Sequence, residues 1–303
     1  MKNKPIVTVG IPTFNRKNLL KRALDSVINQ TYTNIDILIS DNHSNDGTEE
    51  LIKEYLKKDS RIRYFRQEKN QGIGFQGKFL LENSLGKYYC CLCDDDYFSK
   101  NYIEECVKIL LENKEISVTY GTVHLIDENN NIIKKCPTFK TLEEDFSKRV
   151  EDYINLGINA FFASTFMRTD LCKLITKDYY KNRFCEDQLF VIKGLILGKS
   201  LCSDKAFFYK MNNGCTKDLE TLKRTYNLQK LNLENFWYYL SKAYMDCILN
   251  DEIFVDKFTY DERLDFAIDA YETIKAKFKL PPQKAEKKKL YQKIIDKIKG
   301  KKF

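Results

Sequence analysis

Between residues 6 and 120 the chain alternates two patterns, and this alternation limits the fold more than any other feature. Short apolar runs occur at residues 6–11, 35–40, 62–65, 88–93 and 116–120, each bounded by polar or glycine-containing segments. Between them Leu20, Ala23, Leu24, Val27 and Ile28 fall at helical spacing, and residues 48–57 place Leu51, Ile52, Tyr55 and Leu56 on one face behind Asp46 and Gly47. Residues 75–84, after Gly72 and Gly74, and residues 102–111 read as two more helices. Strands alternating with helices predict a mostly parallel sheet covered on both faces. Ligands of such sheets bind outside the carboxyl ends of the strands, so the polar residues that follow each strand are the ones to weigh.

Beyond residue 120 the pattern loosens. Residues 161–167 read as a strand and 186–197 as a helix, followed by short strands near Leu201 and over 207–211. From 216 to 280 the periodicity is helical, with Leu228, Leu231, Leu233, Phe236, Trp237, Tyr239 and Leu240 in one apolar cluster, and Pro281-Pro282 ends it. A chain of 303 residues, 43% hydrophobic, fits one large domain with an appendage, at roughly 100–200 residues per domain. No run of 18 apolar residues and no signal-peptide core is present in this sequence, which predicts a cytoplasmic protein. The ten cysteines are scattered and fit a reducing compartment as small core residues; Cys91 and Cys93 form half a zinc pattern that no second pair completes.

Charge is unevenly placed. Residues 281–303 hold nine lysines against Glu286 and Asp296, so +7 of the net +8 lies there and residues 1–280 carry +1. A nearly neutral body argues against nucleic-acid binding. Within the tail Leu290, Tyr291, Ile294, Ile295 and Ile298 recur at helical spacing among the lysines. This is a basic amphipathic segment, and an anionic lipid surface attracts such segments by about 1 kcal/mol per basic residue. A solvated, frayed terminus is the plainer reading; the expectation here is peripheral attachment at the inner membrane face.

Three strand ends carry polar or acidic residues: Gly10 to Arg16, Ser40 to Thr48, and Cys93-Asp94-Asp95-Asp96. Adjacent carboxylates repel by about 1–4 kcal/mol per pair in wet to half-buried surroundings. A divalent cation removes that repulsion, and Mg²⁺ or Mn²⁺ is commonly held by one or two carboxylates plus the oxygens of a substrate diphosphate. A solvated acidic turn before the helix at Tyr102 fits the triplet equally well when it is taken alone.

The context adds to it. Val7-Thr8-Val9-Gly10-Ile11-Pro12-Thr13-Phe14-Asn15-Arg16, Ile37-Leu38-Ile39-Ser40-Asp41 with the following Asn42 to Thr48, Asn70-Gln71-Gly72, Gly86-Lys87-Tyr88 and Leu92-Cys93-Asp94-Asp95-Asp96 occur in this order. Together they resemble the inverting family 2 glycosyltransferases of GT-A fold, over about residues 5–215. The resemblance implies an α/β GT-A domain, a Rossmann-like mixed sheet flanked by helices, at 1–215, with a donor half at 1–115 and an acceptor half at 116–215. A helical extension at 216–280 and the basic tail at 281–303 follow.

The resemblance also implies roles for matching positions. Pro12, Thr13 and Asn15 correspond to the loop that contacts the nucleotide, and Asp41 to the carboxylate that accepts from the base, typically uracil. Asp94, Asp95 and Asp96 correspond to the segment that meets the ribose and holds the Mn²⁺ or Mg²⁺. The family commonly has Asp where this chain has Cys93, which aligns Asp95 with the usual metal ligand; an Asp-x-Asp pattern read from Asp94 makes it Asp96. Glu186-Asp187 matches the family's Glu-Asp pair, with Asp187 as general base toward the acceptor hydroxyl; apart from the resemblance the two acids simply suit a helix start. After Asn70-x-Gly72 the family often has Arg-Asn, where Gln76, Gly77 and Lys78 stand; Lys78 is a candidate for the diphosphate or a surface lysine. The Gln-x-x-Arg-Trp signature of processive synthases is missing from the sequence. The expected activity is therefore single-sugar transfer from a UDP-sugar to a glycan or lipid-linked acceptor, as in bacterial surface polysaccharide synthesis. Rival readings are a sugar nucleotidyltransferase, disfavoured by the lack of a Gly-rich Arg loop after strand one, and an inactive transferase fold that binds membrane, disfavoured by Asp41, Asp94–Asp96 and Asp187.

Overall fold

A computed structural model of the chain describes residues 4–156, 165–176 and 186–212, with the single positions 259, 263 and 265. The first half runs β1 (Val7–Thr13), α1 (Lys17–Ile28), β2 (Ile35–Asp41), α2 (Thr48–Leu56), β3 (Ile62–Arg66), α3 (Gly72–Glu82), β4 (Tyr88–Cys91), β5 (Tyr97–Phe98) and α4 (Tyr102–Glu112). The second half continues with β6 (Ile116–Ile126), β7 (Ile132–Lys135), α5 (Phe146–Leu156), β8 (Phe166–Arg168), α6 (Thr169–Ile175), α7 (Glu186–Leu197) and β9 (Lys199–Met211).

One sheet joins the strands in the order β3-β2-β1-β4-β8-β6-β9-β5, with β7 paired to β6. Its first half is parallel: β1 lies between β2 and β4, and β2 pairs with β3. Central position explains composition, since every residue of β1 and β2 is buried whereas β3, at the edge, is increasingly exposed toward its end. α1 closes one face with Leu20, Ala23, Leu24 and Val27, and α4 packs Tyr102, Ile103, Cys106, Val107 and Leu110 against the sheet. The second half is mixed, with β8 antiparallel to both β4 and β6 and β6 parallel to β9. Gly86 enters β4 where a Cβ would lie 2.3 Å from the Thr8 backbone nitrogen, so that crossing needs a residue without a side chain.

The expected mixed, helix-flanked sheet is present, with several changes of boundary. β4 stops at Cys91 rather than Cys93, because residues 93–96 fold into a turn closed by the Asp96 N–H on the Cys93 carbonyl at 3.1 Å. The two short strands expected near Leu201 and 207–211 are one strand of 13 residues, β9, whose register against β6 shifts at Gly121/Thr122. α3 begins at Gly72, whose φ of +83° suits glycine, three residues earlier than the periodicity predicted. β5, β7, α5 and α6 have no counterpart in the sequence reading. The expected helical segment 216–280 and the basic tail 281–303 fall outside the described residues, apart from 259, 263 and 265.

Candidate functional site

The candidate residues meet at the carboxyl edge of β1, β2 and β4. Thr13 and Asp41 are register partners at the last rung of β1 and β2. β4 pairs with β1 only as far as Gly10, so Pro12 lies past that ladder, where the N–H it lacks is not required. The chain leaves β4 through Leu92, whose N–H still bonds the Gly10 carbonyl at 2.9 Å, and delivers Cys93–Asp96 beside the Thr13 loop.

The three aspartates are almost fully buried, at 5%, 4% and 2% exposure for Asp94, Asp95 and Asp96. Their sets of partners differ. Thr13 Oγ1 donates to Asp94 Oδ2 at 2.8 Å. Arg16 Nη1 bridges Asp94 Oδ1 at 3.1 Å and Asp95 Oδ2 at 2.9 Å. The Met211 N–H, at the end of β9, donates to Asp96 Oδ1 at 2.8 Å. Burial pushes the Asp94 carboxyl up to about 6, against the pull of Arg16 and Thr13. Burial also raises Asp96 well above the usual carboxylate range; Lys210 opposes the shift, and Asp95 and Asp94 add to it. With all three ionised, the site would hold three buried carboxylates against Arg16 and Lys210.

The two preceding loops are tied to each other. The Asn15 N–H donates to Ser44 Oγ at 2.9 Å, and Asn15 Oδ1 accepts the Asn45 N–H at 2.8 Å. Asn15 and His43 both have positive φ, 52° and 73°, a backbone state that non-glycine residues seldom adopt and that gathers at functional loops. Asp41 is fully buried; Oδ1 accepts the Ser44 N–H at 2.9 Å and Oδ2 the Tyr64 hydroxyl at 2.7 Å. Asn42 extends the network, its Oδ1 accepting the Gln71 N–H at 2.8 Å and its Nδ2 donating to Asn70 Oδ1 at 2.9 Å. The Asn70-x-Gly72 segment is thus joined to the end of β2.

Pro12, Thr13, Asn15, Asp41, Asp94, Asp95 and Asp96 are brought to one edge. Lys78 stands on α3, half-exposed, with its Nζ 3.7 Å from Glu82 Oε1. Asp187 falls in the first turn of α7, and its side chain lies outside the described residues. Two contributors were not singled out from sequence. Arg16 is the counter-ion of two aspartates. Arg22 donates to the Asp95 carbonyl and to Asn130 while lying 5.0 Å from the Tyr97 ring centroid. Gln76, named above only as an occupant of the Arg-Asn position, is buried on α3 at 1% exposure, and among the described residues neither of its side-chain polar atoms has a hydrogen-bond partner. Arg16 was within the quoted opening motif; the positions of Arg22 and Gln76 need the α1 and α3 packing to be known.

The sequence model of the family described as glycosyl transferase family 2 matches residues 8–182, which takes in all of this edge. The chain belongs to glycosyl transferase family 2. Asp187 lies just beyond the span that the family match covers. Among curated relatives, an uncharacterised glycosyltransferase of Methanocaldococcus jannaschii is 34% identical, covering 48% of this chain and 52% of the relative. The Campylobacter jejuni GalNAc(5)-diNAcBac-PP-undecaprenol beta-1,3-glucosyltransferase is 30% identical over 67% of this chain and 63% of its own length. The chain spans about half of the first of these relatives and only 21% of the glycosyltransferase GlyA of Streptococcus pneumoniae, to which it is 30% identical. Among solved structures, S. aureus TarS 1-349 in complex with UDP-GlcNAc has a TM-score of 0.63 at 18% identity, covering 89% of this chain and 72% of that one. That likeness establishes the GT-A fold.

Family 2 enzymes commonly use a divalent cation, and the residues here fit one. Cys93 Sγ and one carboxylate oxygen each of Asp95 and Asp96 lie within 4.8 Å of one another. The bonds to Arg16 and Met211 each engage a single oxygen, Asp95 Oδ2 and Asp96 Oδ1. A 2+ charge there offsets the buried excess of negative charge.

Proposed function

We propose that the chain is an inverting, non-processive glycosyltransferase that moves one sugar from a UDP-sugar to a hydroxyl of a glycan or lipid-linked acceptor in bacterial surface polysaccharide synthesis. The observation that carries the reading is the buried Asp94–Asp95–Asp96 segment, set beside Thr13 and Asp41 at the carboxyl edge of the sheet. The substrate named for the Campylobacter jejuni relative supports a lipid-linked saccharide as acceptor class, and the TarS complex makes a UDP-sugar the first donor to test.

In this reading the nucleoside lies against the Thr13–Asn15 loop, with Asp41 at the base. Asp95 and Asp96 would hold a Mn²⁺ or Mg²⁺, which would supply charge neutralisation for the departing diphosphate. Asp187 accepts the proton of the acceptor hydroxyl as its oxygen bonds to the anomeric carbon and the bond from that carbon to the diphosphate breaks. A single displacement inverts the anomeric centre. Residues 283–303 hold the protein at an anionic membrane surface; equal liposome flotation with and without them would remove that part. No described helix is long and apolar enough to cross a membrane.

Thermal shift with UDP, GDP, CMP and their sugars, each with and without Mn²⁺, tests the donor site. A Mn²⁺-dependent rise for uridine nucleotides that Asp95→Ala loses is the expected result. No shift with any nucleotide in the presence of metal would overturn the reading.

A further inference from the structure

We propose that Cys93 is a ligand of the donor-site cation and makes that site a mixed thiolate–carboxylate one, which favours thiophilic divalent ions such as Cd²⁺, Zn²⁺ and Co²⁺, with Mn²⁺ ahead of Mg²⁺. The inference rests on the transferase reading above, in which Asp95 and Asp96 hold the cation. It adds a ligand and a metal preference that the family's usual aspartate at this position does not imply.

Local geometry carries it. The Asp96 N–H to Cys93 carbonyl bond closes a tight turn, and that turn turns Cys93, Asp95 and Asp96 toward a common point. Their ligand atoms lie within 4.8 Å of one another, so a closure of a few tenths of an ångström brings all three to one ion with metal–oxygen bonds of about 2.0–2.2 Å and a metal–sulfur bond of about 2.3 Å. Arg16 bonds Asp94 Oδ1 and Asp95 Oδ2, and Asp94 is not part of the cluster with the thiol. Cys93 is also only half-buried, unlike its neighbours Cys90 and Cys91, whose buried thiols are pushed upward by desolvation and sit in the core. A reagent arriving from solvent therefore meets Cys93 and not the other two.

The chemistry follows from ligand softness. Mg²⁺ demands near-octahedral oxygen coordination and does not favour sulfur, whereas thiolate ligands select softer ions. On coordination the thiol proton passes to solvent as the sulfur–metal bond forms, and nothing is oxidised or reduced. The plainer alternative is that Cys93 is a small half-buried residue and the cation rests on the two aspartates alone.

Titration of the full chain with Co²⁺ separates the two. Ligation by Cys93 gives a near-ultraviolet thiolate-to-cobalt charge-transfer band that saturates at one equivalent and is lost in Cys93→Ser. Cd²⁺ affinity, measured by calorimetry, falls in that variant by at least about tenfold, the loss that even an outer-shell partner of a metal ligand commonly causes. Cys93→Asp, which restores the family's residue, shifts the Cd²⁺-to-Mg²⁺ affinity ratio toward Mg²⁺, and circular dichroism confirms that both variants are folded. No charge-transfer band in the unaltered protein, or a band that survives in Cys93→Ser, overturns the inference whether or not the variants fold. UDP binding in Mn²⁺ is read separately. Binding without a band sinks the role of Cys93 and leaves the transferase reading intact; a band without any nucleotide binding supports the ligand and sinks the transferase reading.

Discussion

Neutralising Asp94 should stabilise the metal-free protein, and the gain should depend on pH. Asp94 is buried, and its carboxyl is raised to about 6 from an ordinary 3.8. A raised carboxylate contributes stability that is complete below its unfolded value and is lost as pH rises through the folded one. The shift of about two units, at 1.36 kcal/mol each, means that ionised Asp94 costs about 3 kcal/mol above pH 7. Asp94→Asn keeps the side-chain shape, retains an acceptor for Arg16 and removes the charge. In EDTA the variant should match the parent near pH 4, gain steadily between pH 4 and 6, and stay ahead by about 3 kcal/mol above pH 7. For a protein of this size that is roughly 6–12 °C in Tm, at about 2–4 °C per kcal/mol. Thermal melts of both proteins at several pH values give the difference directly; titrating groups remote from the site cancel in it, while relief of Asp96, which Asp94 also pushes up, adds to the gain. A variant less stable than its parent at pH 7.5, or a difference that is flat from pH 4 to 8, would refute the electrostatic account of this site.

Arg16→Gln should act in the opposite sense. The substitution removes the cation that bridges Asp94 and Asp95, so in EDTA the protein loses about 1–3 kcal/mol at pH 8 and little at pH 4.5, and Mn²⁺ recovers most of the loss; a loss that Mn²⁺ leaves unchanged would assign Arg16 to packing alone. Gln76→Leu should raise the urea midpoint at unchanged m-value, because a buried amide without partners costs about 1–3 kcal/mol; a lower midpoint would mean that the amide is satisfied. Gly86→Ala should be destabilising by several kcal/mol or fail to fold, since its Cβ would meet the Thr8 nitrogen and Tyr88 carbonyl at 2.3 and 2.6 Å; a melt within 2 °C of the parent, by about 2–4 °C per kcal/mol, would show that the β1–β4 crossing yields.

The parallel first half of the sheet was legible because its signals are local. Runs such as 6–11 and 35–40 are apolar on both faces, as central parallel strands must be, and the polar residues at their ends mark the site without knowledge of the fold. β5 and β7 escaped detection for the converse reason. β5 has two residues, Tyr97 and Phe98, held by partners more than a hundred positions later, and all four residues of β7 are exposed, so no periodicity announces it. β4 was extended by two residues because Leu92 and Cys93 continue its apolar run, and only the bond from the Asp96 N–H to the Cys93 carbonyl shows that the strand has already turned. The roles of Arg16 and of the Met211 N–H were hidden for the same physical reason: a counter-ion or an amide donor is recruited by position in space. Met211 reaches Asp96 across 115 residues of chain.

This arrangement explains how three carboxylates can remain side by side in an interior edge before any ligand arrives. A buried carboxylate without compensation is costly, and each one here is given a partner of limited charge: a hydroxyl and a shared guanidinium for Asp94, the other half of that guanidinium for Asp95, a backbone N–H for Asp96. One guanidinium bonded to two of the three acids, with Lys210 acting on Asp96 through space, leaves the buried edge short of cation among the described residues when all three acids are ionised. Such a deficit binds a divalent ion more strongly than three solvated aspartates would. It also limits the ion when it comes alone, since Arg16 already holds one oxygen of Asp95. A ligand that brings its own negative charge, as a diphosphate does, changes that balance, because the guanidinium then has a second anion to meet. Metal and nucleotide should accordingly bind with positive coupling: Mn²⁺ affinity measured with UDP present should exceed that without it by about 5–150-fold, the usual span of coupling between linked sites, and the factor should shrink in Arg16→Gln. Equal coupling in the two proteins would show that the nucleotide reaches the metal without involving Arg16.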